Sequence, residues 1–302
     1  MRGTVRKVVD ALRKGTGTCT LALLLCGASG RVFNFSAGRT EVRREEGGWV
    51  KVFEDGFRAT DGTVLLSAER GAYREGQAEV VLEGEVVVED TAASLRAGKV
   101  VYRMDEEVVE ASGKVMVVYR GWKFRAGEAK YFRREGYIVA DGGVALEDTS
   151  GEISARALRG RYEFEGKGYI EKEAVLTRTG ALLSADRISS DGRRMVAEGN
   201  VLIKKGNMEA TCGRAEYRGG NMLLTVGPSG YISEGEIEST LKGDTIEVFL
   251  RDLEVERLVL SGGAQLSSRG PEGSNLLSGR KIEVFLEGNE PKRILVLGNA
   301  VG

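Results

Sequence analysis

MVAEGNVLIKK, residues 195–205, alternates: Met195, Ala197, Gly199, Val201 and Ile203 share one face, with Glu198, Asn200 and Lys204 opposite. A period of two marks a half-buried strand. The glycine in its middle weakens a strand by roughly 0.5–1 kcal/mol relative to alanine, so its position needs a reason.

The reason lies in a repeat. Ala68, Tyr73, Gly84 and Val86 are followed by Ala97, Tyr102, Gly113 and Val115, then by Ala126, Tyr131, Gly142 and Val144. These copies of A-x4-Y-x10-G-x-V stand twenty-nine residues apart. Later copies drift: Ala157 and Tyr162 keep their spacing with Glu173 in the glycine slot, Ala185 leads to Gly199, and Cys212 and Tyr217 lead to Gly227. The last two run Gly243, Val248, Gly262, Ala264 and Gly279, Val284, Gly298, Ala300, which makes eight copies across 68–302. Cys212 stands where others have alanine and reads as a small apolar residue rather than a reactive thiol.

Each copy holds two strand-like halves. In the second copy Leu95, Ala97, Lys99 and Val101 alternate with Arg96, Gly98, Val100 and Tyr102; then Val109, Ala111, Gly113, Val115 and Val117 alternate with Glu110, Ser112 and Lys114. Turns such as YREGQ, YRMDE and YRGGN separate the halves, and no stretch within 40–302 keeps a helical period with caps. One copy cannot bury its own apolar face, so copies stack. The expectation is an all-β fold, an elongated antiparallel array of about eight two-strand repeats.

Composition narrows the chemistry. Forty-four basic and forty-five acidic residues nearly cancel, so no global field favours nucleic acid or an anionic membrane. The absence of histidine removes the commonest general base and metal ligand. Forty-three glycines against three prolines suit strands and tight turns. Cys19 and Cys26 lie in the N-terminal apolar stretch; without that stretch no intramolecular disulfide is possible.

Residues 1–30 read as an address. Arg2, Arg6, Lys7, Arg13 and Lys14 precede TGTCTLALLLCGASG, with Ala28-Ser29-Gly30 as a small-residue cleavage site. A secretory signal is expected; a short uncleaved anchor, a lipidated Cys26 and a buried N-terminal element are the alternatives. The signal and anchor readings place the rest outside the cytoplasm.

Enzyme motifs are missing: neither G-x4-G-K-[ST] nor G-x-S-x-G occurs, nor any Cys/His metal spacing. Carboxylates at Asp55, Asp61, Asp105–Glu107, Asp141 and Asp244 admit a sugar-cleaving pair, with solvated turns as the plain alternative. No cofactor is expected and no catalytic residue is assigned.

The repeat unit, with its (V/L)xAxGNV strand, resembles the OstA-like β-jelly-roll of the lipopolysaccharide-transport (Lpt) proteins of the periplasm. The matching stretches are ADRISSDGRRMVAEGNVLIKK (185–205), RAGEAKYFRREGYIVADGGVAL (125–146) and RILVLGNAV (293–301). WVKVFEDGFRATDGTVLLSAERGAYREG (49–76) is similar to the opening of that pathway's membrane-tethered component. The resemblance divides the chain into a signal or anchor (1–30), a tethered-component-like part (31–150) and a bridge-protein-like part (151–302).

It implies a non-catalytic periplasmic conduit, free or tethered to the inner membrane. Lipopolysaccharide acyl chains would move through its apolar groove toward the outer membrane. The implied partners are an inner-membrane ABC transporter complex that hydrolyses ATP and other jelly-roll proteins joined by edge-strand pairing; nucleic acid is not among them. Inward apolar positions are the groove candidates: Leu82, Val86, Val88, Val109, Val115, Val117, Ile138, Val144, Leu146, Met195, Val201 and Ile203. Ordinary core packing is the alternative role for each. The rival functions are a secreted structural β-solenoid scaffold with a filled core and a carbohydrate-active solenoid. The glycine row marks either the corner of a bending strand or the floor of a lipid path.

Overall fold

The computed structural model describes residues 34–302 except 61–64, 90–92, 120, 133, 164–166, 253 and 289. The expected signal or anchor at 1–30, and Asp61, lie outside the described residues. No helix among the described residues is long and apolar enough to cross a membrane.

The protein is all-β and antiparallel, as expected. It divides into two units, whose described residues are 34–163 and 167–302. The N-terminal unit contains β1 (Asn34–Ser36), β2 (Arg39–Glu45), β3 (Gly48–Glu54), β4 (Phe57–Thr60), β5 (Leu65–Ala68), β6 (Arg70–Arg74), β7 (Glu79–Glu89), β8 (Ala93–Arg103), β9 (Val108–Tyr119), β10 (Trp122–Phe132), β11 (Tyr137–Asp148) and β12 (Ile153–Glu163). The C-terminal unit contains β13 (Lys167–Arg178), β14 (Ala181–Ser190), β15 (Arg194–Lys205), β16 (Met208–Arg218), β17 (Asn221–Thr225), β18 (Ser229–Glu234), β19 (Ile237–Lys242), β20 (Thr245–Arg251), β21 (Glu254–Gly270), β22 (Gly273–Glu287) and β23 (Glu290–Leu297).

Within each unit the long strands pair with their sequence neighbours as successive hairpins, and each is bent once. On alternate strands two consecutive residues take positive φ: Gly84–Glu85, Gly113–Lys114, Gly142–Gly143, Lys172–Glu173, Gly199–Asn200 and Gly262–Gly263. The same pairs stand at the β3–β4 break (Asp55–Gly56), the β17–β18 break (Val226–Gly227) and after β23 (Gly298–Asn299). Each is a bulge, with two residues opposing one across the ladder, as Gly199 and Asn200 oppose Gly213. The facing residue closes the corner: the N–H of Gly213 donates to the Val226 carbonyl at 2.8 Å and that of Arg280 to the Gly298 carbonyl at 2.8 Å. The glycine of MVAEGNVLIKK therefore sits at a corner, not on a floor.

Two details of the sequence reading change here. In the fourth copy the glycine slot is filled by Lys172, not Glu173; both take positive φ, 61° and 60°. In the sixth the slot is filled by Val226, and Gly227 is the second corner residue. The unbulged strands also swap faces at the corner. Leu95 and Ala97 are buried, but beyond Gly98 it is Val100 and Tyr102 that are buried, not Lys99 and Val101. Simple alternation fails because the strand bends without an extra residue.

The corner gives every bent strand two arms whose inward faces meet. Across the first corner Phe53 and Phe57 have ring centroids 5.3 Å apart, and a Cβ on Gly71 would touch both Phe57 and Leu82 at 3.3 Å. The outward faces carry ion pairs in cross-strand register, such as Lys99–Glu83 at 2.7 Å and Lys130–Glu110 at 2.6 Å.

Candidate functional site

Inward side chains form rows that run from strand to strand. In the N-terminal unit the row beside the corner is Gly71, Leu82, Val100, Ala111, Ala129, Ala140 and Gly160. From Leu82 on, its side chains shrink. On the facing arm the row farther from the corner is Leu66, Val88, Leu95, Val117, Phe124, Leu146 and Ala155. Leu66, Val88 and Leu95 are buried, whereas Val117, Phe124, Leu146 and Ala155 are half-buried. Where Leu82 and Val100 fill the space between arms, the unit is closed. Where alanine and glycine replace them, over β9–β12, the outer apolar side chains reach solvent.

The repeated tyrosines belong to this interior. Tyr73, Tyr102, Tyr131 and Tyr162 alternate with Val80, Val109 and Ile138 along the outer row of the other arm. The sequence reading used tyrosine as a landmark and missed its inward direction; the fixed five-residue step from a buried alanine was the available signal.

In the C-terminal unit the row beside the corner runs Ile170, Ile188, Ala197, Ala215, Leu224, Ile246, Leu260 and Ile282. Beside Ala197 and Ala215, the outward-lying members Met195, Ile203 and Ala210 are half-buried. From Leu224 on the interior is filled: Leu224, Leu241, Ile246, Leu260, Ile282 and Val284 are each at most 3 % exposed.

The twelve candidate positions separate along these rows. Leu82, Val86, Val115, Val144 and Val201 are buried beside or near the corner, and Val88 is buried in the outer row where the unit is closed. Val109, Val117, Ile138, Leu146, Met195 and Ile203 are half-buried toward the arm ends. Only the second group is presented to solvent, so only it can meet a ligand without the arms parting.

Cys212 is buried at 7 % exposure, and burial pushes its thiol pKa up, which disfavours the reactive thiolate. The candidate carboxylates are exposed and dispersed. Asp141 accepts the Gly142 N–H at 2.9 Å and lies 3.5 Å from Arg159; Asp55 and Asp244 flank other corners, and Asp105–Glu107 form a hairpin turn. Among the described residues no three His, Cys, Asp or Glu side chains are grouped to hold a metal. A surface concavity of about 620 Å³ at the Asp55–Gly56 corner combines Glu54, Glu69 and Glu85 with Arg58 and Arg70.

No protein-family model and no curated protein matches the chain. A solved structure of LptH, the LptA homologous periplasmic component of the conserved lipopolysaccharide transport device from Pseudomonas aeruginosa, is similar over 59 % of this chain and 83 % of that one. The identity is 14 % and the TM-score 0.19.

Proposed function

We propose that the chain is a non-catalytic carrier that shelters acyl chains of an amphipathic lipid, of the lipopolysaccharide type, between the arms of its bent strands. One observation carries this reading. Apolar rows with the same composition as the core stay half-buried over β9–β12 and over β15–β16, because small residues beside the corner keep the arms from filling the gap. Each methylene sheltered from water contributes about 0.8 kcal/mol, so a twelve-carbon chain needs roughly 10 kcal/mol of shelter. Four strands at ~4.8 Å spacing span about 14 Å, close to a zigzag of a dozen carbons. No catalytic side chain is required.

Residence in the periplasm, tethering by the N-terminal segment, supply by an inner-membrane ABC transporter complex and edge-strand pairing with other jelly-roll proteins complete the proposal. They are supported by the sequence resemblance. A second reading, the filled scaffold, is favoured by the closed interior of β17–β22.

Photocrosslinking in cells tests the choice. A crosslinker at Val117 or Ile203 is expected to give lipid adducts, and one at Val86 or Val201 to give few. Absence of adducts at all of Val109, Val117, Ile138, Leu146, Met195 and Ile203 would leave the scaffold reading standing alone.

A further inference from the structure

Among the described residues β2 pairs on one side only, with β3, and β23 likewise with β22. The two edges are built differently. The outward residues of β2 are Arg39, Glu41, Arg43 and Glu45, every one charged, with Glu41 half-buried and the other three exposed. They are laced together by Arg39–Glu41 at 3.7 Å and Arg43–Glu45 at 2.9 Å. Charge of this kind guards an edge against strand addition. β23 carries such a guard only at its start, where Lys292 pairs with Glu290 at 2.8 Å beside Pro291. Its outward residues are Arg293, Leu295 and Leu297, the leucines 38 % and 47 % exposed, and inward Ile294 is 37 % exposed.

Arg293 also ends a ladder. Phe249, Arg257, Phe285 and Arg293 face one another across β20, β21, β22 and β23. Arg257 lies 4.1 Å over the Phe249 ring, and Arg293 lies 4.2 Å over the Phe285 ring. The alternation calls for an aromatic ring across from Arg293 on the next strand.

We infer that β23 accepts a strand from a different protein, apolar on its outward face with an aromatic residue opposite Arg293, and that it does not accept β2 of a second copy. The inference rests on the edge-pairing part of the proposed function and names the partner's chemistry. Strand pairing must keep inward and outward faces together, since a one-residue slip exchanges them. In every register that does so, Leu295 and Leu297 meet charged residues of β2. If Gly298–Asn299 faced Gly38 as the internal corners face their neighbours, Leu297 would oppose Arg39, Leu295 would oppose Glu41, and Arg293 would oppose Arg43. Like charges directly opposite destabilise a pair, and the leucines gain no apolar neighbour.

The full chain supplies its own test. Sedimentation velocity over a concentration series is expected to show no self-association of the wild type that Leu295→Lys removes. The triple variant Arg39→Leu, Glu41→Leu, Arg43→Phe gives β2 the stated chemistry. It is expected to assemble with rising concentration and to return to the wild-type state when Leu295→Lys is added. Wild-type assembly dissolved by Leu295→Lys, or a triple variant that never assembles, overturns the inference.

A peptide measurement guards against misfolding of the variant. Two labelled peptides span 38–46, one native and one carrying the three substitutions. The substituted peptide is expected to bind the wild-type chain about tenfold more tightly, the combined effect of three cross-strand pairs. Equal binding overturns the inference. Lipid crosslinking at Val117 and Ile203 is read separately, so either conclusion can fail while the other stands.

Discussion

The C-terminal unit contains two regions with the same corner and different interiors. Over β15–β16 the arms leave Met195, Ile203 and Ala210 half-buried; over β17–β22 Leu224, Leu241, Leu260 and Ile282 fill the space. Corner geometry is shared, since Gly199–Asn200 and Gly262–Gly263 take the same positive φ and face Asp186 and Asp244 in the same way. What differs is one residue per strand in one row, Ala197 and Ala215 against Leu224, Ile246, Leu260 and Ile282. Bending is thus set by the corner, and closure by side-chain volume beside it.

The largest effect comes from emptying the closed region. Leu260 is fully buried, and Leu260→Ala is expected to cost about 2–5 kcal/mol by urea denaturation, because a packed interior relaxes only partly around a cavity. The counterpart fills the open region. Ala210→Leu adds volume at a half-buried position opposite Gly230, which has no side chain. It is expected to leave stability unchanged and to reduce lipid adducts at Ile203. A loss of about 1–3 kcal/mol would instead signal overpacking and remove the distinction between the regions.

Corner substitutions test whether the shared element is truly shared. A Cβ on Gly199 would lie 2.1 Å from Asp186 Oδ2, and one on Gly262 would lie 2.1 Å from Asp244 Oδ2. Asn200 also bonds both Asp186 oxygens, at 3.0 and 3.2 Å. Gly199→Ala and Gly262→Ala are each expected to cost about 1–2 kcal/mol, the penalty of an L-residue in the left-handed region. Thermal unfolding that penalises one far more than the other would show that corner and packing are coupled. The converse substitution, Lys172→Gly, is expected to stabilise by up to about 1 kcal/mol, less the added freedom of the unfolded chain.

Alternation and the glycine landmarks made the strands and most corners legible in the sequence, because both are local. Lys172 was misplaced because neither corner residue there is glycine and the spacing drifts by one. The face swap between Ala97 and Val100 was hidden because the strand carries no extra residue to announce a bend. The open and closed regions were illegible for a different reason. Ala197, Ala215 and Leu224 become neighbours only through cross-strand register, which no window along the chain displays. Hence six of the twelve candidate positions turned out to be sealed, five beside or near the corner and Val88 in the closed outer row, although their residue types match the six that reach solvent.

The smallest effect concerns the outer face of the closed region. Glu283 receives a bond from Lys281 Nζ at 2.6 Å, with Arg257 at 3.7 Å, and the Lys281 bond chiefly holds its pKa below the usual glutamate value. A folded-state pKa below the unfolded one means that the pair stabilises above the ordinary glutamate range, about 4.3. That contribution disappears as pH falls through the folded value. Glu283→Gln is therefore expected to lower stability slightly at neutral pH and to flatten the decline between about pH 5 and pH 3 in chemical denaturation. Parallel curves for wild type and variant would show that the closed region owes its stability to the apolar row alone, with its surface charges adding nothing.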